Sequence, residues 1–167
     1  MNGYLLDTNV VSELRKGLRA DANVTAWFAR RDRRELILSA ITLAELRRGI
    51  ALIARRDSAQ ADHLRVWCDR LQRDFGRTGR LLPIRAAEAA AWGELMALRP
   101  LPVIDGFLAA TAQVHALTLA TRNEADFAGL PVPVENPFAA QAGGYPCRQV
   151  RRFASSASAP APKADQP

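Results

Sequence analysis

Apolar residues follow two periods along the chain. Short apolar runs occur at 4–6 (YLL), 36–38 (LIL), 81–84 (LLPI) and 117–120 (LTLA). Each reads as a strand. Between them apolar residues recur at helical spacing. The first such stretch is 10–16, closed by Gly17. The next is 23–31, with Val24, Trp27 and Phe28 on one face. A third, 42–54, carries Leu43, Leu46 and Ile50. A long amphipathic stretch over 58–75 stops at Gly76, and an alanine-rich one over 86–98 ends at Pro100. Residues 104–115 contain GFLAATA, small enough to pack closely on a sheet. A fifth strand over 132–134 fits only an edge, because Pro131 and Pro133 lack amide hydrogens. Strands separated by helices predict an α/β fold of three layers: a central parallel sheet of four to five strands with helices on both faces. No internal repeat is visible.

That architecture directs attention to the carboxyl ends of the strands, where open parallel sheets bind ligands. Strand one ends in Asp7-Thr8-Asn9. Strand two is followed by SAITLAE, ending in Glu45. The helix before strand four opens PVIDGF with Asp105, and strand four runs into Thr121-Arg122-Asn123-Glu124-Ala125-Asp126. If strands two, one and four are neighbours, Asp7, Glu45, Asp105 and Asp126 lie near one edge. Four carboxylates in one crevice repel each other, and such a cluster persists when a hard cation compensates it. All-oxygen donors select magnesium or manganese over zinc or iron.

Each acid also has a structural reading. Thr42-x-x-Glu45 matches a capping box. Asp105 suits the cap of its own helix. Asn123-x-x-Asp126 reads as a cap and its dipole partner, and Asn9 as the cap of the first short helix. Asp7 is harder to explain in this way, since a carboxylate ending an apolar strand has no cap to make before Asn9. Four such positions at one sheet end favour a metal cluster, and caps and ligands are not exclusive.

Composition narrows the field. At 167 residues and 49% hydrophobic, the chain suits one domain with a substantial core. Residues from about 139 on, closing with ASSASAPAPKADQP, are expected to be a mostly disordered tail behind a domain over 1–138. No apolar run approaches the roughly 18 residues of a membrane span. No basic segment precedes the first apolar run, which argues against a signal peptide. Cys68 and Cys147 form neither a disulfide framework nor a metal spacing. A soluble, cytoplasmic protein is expected. The net charge of +6, carried mainly by arginine, raises the odds of a nucleic-acid partner. His63 and His115 read as surface or capping residues, and Trp27, Trp67 and Trp92 as helix packing. Without a Ser/His/Asp set or a glycine-rich phosphate loop, the tools at hand are carboxylates and arginines. These suit metal-assisted hydrolysis of a phosphodiester.

YLLDTNVVSEL, SAITLAELRRGI, VIDGFLAATA and LATRNEADF, in this order, resemble the PIN-domain ribonucleases. The resemblance is strongest to the toxin half of VapBC-type toxin–antitoxin pairs, in particular the FitB-like subgroup, and spans residues 1–138. It implies a magnesium- or manganese-dependent endoribonuclease leaving 5′-phosphate and 3′-hydroxyl ends. It places the acidic site on Asp7, Glu45, Asp105 and Asp126, with Asn9, Thr121 and Asn123 as supporting polar positions. It further implies an RNA substrate, a VapB/FitA-like antitoxin as partner, and a homodimer. The tail departs from the family pattern.

Three other readings stay open. A phosphatase could open with Asp-x-Asp at a strand end, but Asn9 holds the second position and no lysine follows strand four. A non-catalytic nucleic-acid-binding regulator explains the charge but not the four acids. A purely protein-binding relative of the same fold is the third, and the full acidic set argues against it.

Overall fold

The structure is a computed structural model that describes residues 3–140. The expected tail therefore lies almost wholly outside the described residues, as do Cys147 and the arginines beyond it. Five strands form one parallel sheet in the order β3-β2-β1-β4-β5: β1 (Tyr4–Leu6), β2 (Leu36–Ser39), β3 (Leu81–Leu82), β4 (Thr118–Ala120) and β5 (Val134–Glu135). The helices are α1 (Thr8–Leu14), α2 (Ala22–Ala29), α3 (Ala40–Ala54), α4 (Ser58–Arg77), α5 (Ala86–Leu98), α6 (Val103–Val114) and the single turn α7 (Glu124–Phe127).

Alternation along the strands builds the layers. Leu6, Leu36, Leu38 and Ala120 face one apolar cluster with α1 to α4, where Trp27, Phe28, Trp67 and Phe75 are buried. Leu5 and Leu119 face the other, with Leu95, Leu108 and the alanines of α6. Strands buried on both faces must be apolar at every position, which is why the runs are unbroken. The small residues of α6 let α5 pack closely: a Cβ on Gly106 would stand 2.7 Å from Trp92 Nε1. Trp92 is half-buried and stacks on Phe107 at 5.2 Å. No single helix among the described residues is long and apolar enough to cross a membrane.

The order of the strands reverses at β1. From there the chain adds β2 and β3 on one side, then crosses to β4 and β5 on the other. The carboxyl ends of β1 and β4 thus form the switch point at which such sheets take ligands.

Several boundaries differ from the sequence expectation. The first helix starts at Thr8 because Asp7 caps it. The third starts at Ala40, capped by Ser39, whose Oγ accepts from Ile41 N at 3.1 Å. α4 runs through Gly76, and the break comes at Gly79, whose φ is +67°. β3 shortens to Leu81–Leu82. β5 moves to Val134–Glu135: Pro133 contributes its carbonyl, which accepts from Leu119 N at 2.8 Å, so its missing amide costs nothing.

Candidate active site

Asp7 ends β1 and caps α1, its backbone fixed by Asp7 N donating to Ala120 O at 3.0 Å. The carboxylate is buried. Oδ1 accepts from Thr8 N at 2.5 Å; Oδ2 accepts from Asn9 Nδ2 and from Thr121 Oγ1, both at 2.6 Å. A carboxylate offers about four acceptor positions, so the three bonds leave one free. Burial pushes the Asp7 carboxyl above its ordinary range, and the bonds from Thr121, Thr8 and Asn9 pull it part of the way back.

The supporting network closes across the switch point. Asn9 Nδ2 also reaches Thr121 Oγ1 at 3.1 Å, and its Oδ1 accepts from Arg122 N at 3.3 Å. Thr121, fully buried, accepts from Asn123 N at 3.0 Å. Asn9 and Thr121 thus touch Asp7 directly. Asn123 joins only through its backbone amide, and its side chain makes no capping bond on α7.

Glu45 lies one turn into α3. Its Oε2 accepts from Thr8 Oγ1 at 2.5 Å, which ties it to the start of α1. The capping box expected from Thr42 and Glu45 does not form. Thr42 Oγ1 instead donates to Leu6 O at 3.0 Å, fixing α3 against the end of β1. Glu45 is thereby released from a capping role.

Asp105 stands in the first turn of α6, whose cap position is Pro102, so it caps nothing. Burial raises the Asp105 carboxyl. The charges of Asp7, Asp126 and Glu45 push it further in the same direction. Asp126 sits on α7, exposed to solvent. All four predicted acids therefore meet electrostatically at Asp105. They do not form a closed cage: among the described residues no three acidic, histidine or cysteine side chains stand close enough to hold a metal ion directly as they are placed. The electrostatic coupling reaches farther than direct ligation, so the two observations describe an open cluster.

Thr8 and Thr42 are site residues that the local sequence pattern does not mark as such. Thr8 is a hydroxyl between Asp7 and Asn9, but its partner Glu45 is 37 positions away. The histidines stay outside. His115 caps α6 and pairs with buried Glu88 at 2.8 Å, and His63 is exposed on α4. The arginine run of residues 30–34 lies in the connection from α2 that leads into the amino end of β2. Arg47 and Arg48, within three residues of Glu45, and Arg122, beside Thr121, are the exposed arginines nearest the acids in the chain; Arg47 pairs with Asp69 at 2.9 Å.

A family model for the PIN domain matches residues 4–132. The chain belongs to the PIN domain family. The curated toxin FitB of Neisseria gonorrhoeae is 36% identical over 143 residues, covering 80% of this chain and 97% of FitB. The VapC ribonuclease Y4jK of Sinorhizobium fredii is 33% identical over 141 residues, covering 80% and 96%. The solved structure of FitAB bound to an IR36 DNA fragment matches with a TM-score of 0.67 at 32% identity, over 83% of this PIN chain and 97% of that one. The three-layer parallel fold expected from the pattern is the fold these proteins share.

Proposed function

We propose that this chain is a divalent-metal-dependent endoribonuclease acting as the toxin of a toxin–antitoxin pair. One observation carries the reading: Asp7, Glu45, Asp105 and Asp126 come from four separate chain segments, and three of them act on the fourth at the switch point of the sheet. The resemblance to a toxin and to a ribonuclease over most of the chain supports it.

The donors suit a hard cation, being all oxygen. Their open spacing also suits magnesium, which keeps several waters and takes only one or two carboxylates directly. Asp7, with one acceptor position left, and Asp105 would hold the ion, with Glu45 and Asp126 completing its surroundings. The bound cation supplies an activated water and offsets charge on the phosphate. The rest falls to the chain itself. Thr8, Asn9 and Thr121 hold Asp7 and Glu45 in one orientation. Arg48 and Arg122 would hold the RNA backbone through a salt-sensitive attraction. An antitoxin of the VapB/FitA kind would silence the site by directing a basic side chain at the carboxylates, and we further propose a homodimer.

The test is cleavage of a mixed RNA pool by the purified full chain. Cutting should vanish in EDTA and return with magnesium or manganese. Undiminished cutting in EDTA, or none under any metal, would refute the reading.

A further inference from the structure

We propose that Arg99 is the positioning residue for Asp126, setting its separation from Asp105 and so the affinity of the edge for a divalent cation. The inference rests on the metal-dependent reading above. Asp126 sits in a weak element. α7 has four residues and its first position lacks a side-chain cap. A single turn has little cooperative support of its own. Three anchors hold it: the buried Phe127 side chain, Arg99, and Asn136, whose Nδ2 donates to Glu124 Oε1 at 2.7 Å.

Arg99 closes α5, its N donating to Leu95 O at 2.9 Å. Its Nη1 donates to Ala128 O at 2.6 Å and to Asp126 O at 3.0 Å, and its Nη2 to Ala125 O at 3.3 Å. Carbonyls in a helix's last turn lack partners within the helix, and a planar guanidinium fork can serve several at once. The bonds go to the backbone. No ion pair joins Arg99 to the Asp126 carboxylate among the described residues, whose charge instead acts on Asp105. The same short linker, Arg99 to Pro102, leads into α6 and Asp105. One side chain therefore ties the end of α5, four residues before the Asp105 helix begins, to the turn that carries Asp126.

The alternative is a purely structural clamp, and the molecule supplies a control. Arg80 makes the same kind of bond at the opposite edge, Nη1 donating to Arg33 O at 2.6 Å and to Leu36 O at 3.0 Å. Charge also separates the cases. Removing a cation near an acidic site should by itself tighten manganese binding, whereas loss of positioning weakens it.

The experiment measures manganese affinity of the full chain, by the resonance of free Mn²⁺, for the parent, Arg99→Ala, Asp126→Asn, the double variant and Arg80→Ala. Arg99→Ala and Asp126→Asn should each weaken binding by about tenfold, in the range found for residues that orient metal ligands. The double variant should bind no more weakly than Asp126→Asn alone. Arg80→Ala should melt lower yet bind manganese like the parent. Should Arg99→Ala not fold, Arg99→Lys keeps the charge and stem without the fork and should show the same weakening. If Asp126→Asn weakens binding while the Arg99 variants bind as tightly as the parent or tighter, the proposal fails alone. So it does if the two losses multiply. If Asp126→Asn binds like the parent, Asp126 is no part of a metal site and this proposal falls; if the parent itself binds no manganese, the metal-dependent reading falls with it.

Discussion

At the amino edge of the sheet, Arg80 lies over the Phe75 ring and donates to two carbonyls. At the carboxyl edge, Asp7, Glu45 and Asp126 all raise Asp105, and burial acts the same way. Arg80 meets carbonyl oxygens; Asp105 meets three like charges. The first edge contributes to stability through bonds already made. The second keeps an unfavourable arrangement held by neighbours that bond its carboxylates: Thr8 on Glu45, and Thr121 and Asn9 on Asp7. Such strain persists where function requires it.

The largest effect that would sharpen the contrast is on cleavage. Asp7→Asn should cut RNA no better than the parent in EDTA. Arg80→Ala should cut normally while losing about 1–3 kcal/mol of stability for carbonyls left without a donor. Denaturant melts and a cleavage assay on both variants check the pair. A normal rate for Asp7→Asn would break the distinction.

Thr121→Val removes one of three donors to a buried carboxylate. It should cost about 1–3 kcal/mol and slow cleavage by about tenfold or more. Because that bond lowers the Asp7 carboxyl, its loss should move the acidic limb of the rate profile to higher pH.

pH should also separate the edges in stability. The Asp105 carboxyl titrates higher folded than unfolded, so between the two values the folded state holds the extra proton. In chelating buffer, stability should therefore fall as pH rises upward from the ordinary carboxylate range, and stay lower above it. Glu13 and Glu88, lowered in the folded chain, act oppositely and only at lower pH. Subtracting the urea stability of Asp105→Asn from that of the parent across pH isolates the Asp105 contribution. A flat difference would contradict the cluster.

The smallest effects concern the scaffold beneath Asp105. Gly106→Ala places a methyl 2.7 Å from Trp92 Nε1 and 2.8 Å from Met96 Cε. Overpacking should cost about 1–3 kcal/mol. Gly49→Ala, in open space on α3, should gain up to about 1 kcal/mol. Thermal melts of both check the contrast.

Much of this was legible because the strands are buried on both faces. Apolar runs such as YLL and LIL have few other interpretations, and a polar triplet ending one marks the sheet's carboxyl edge. What stayed hidden depends on contacts across the chain. Ser39 and Thr42 are both hydroxyls near a helix start, and which one caps is settled by Leu6 O, reached by Thr42 from 36 positions away. Asp7's role as a cap is hidden because Asn9 is an equally good cap by local pattern; the Asn9 side chain turns back to Asp7 and Thr121 instead. Arg99, in a proline-flanked turn, showed no local sign of its link to α7, some 27 positions on.

The central claim, that the carboxyl edge is a carboxylate cluster built for a cation, is met most directly at Glu45. Its one described bond, from Thr8 Oγ1, survives in Glu45→Gln because the amide oxygen still accepts. The substitution therefore changes charge with little change in contact. In EDTA the variant should melt higher than the parent, since one like charge is gone. In saturating magnesium or manganese the order should reverse, because the parent gains binding stabilisation that the variant partly loses, and RNA cleavage should fall by orders of magnitude. A variant that melts like the parent in both buffers and cuts RNA normally would contradict the account.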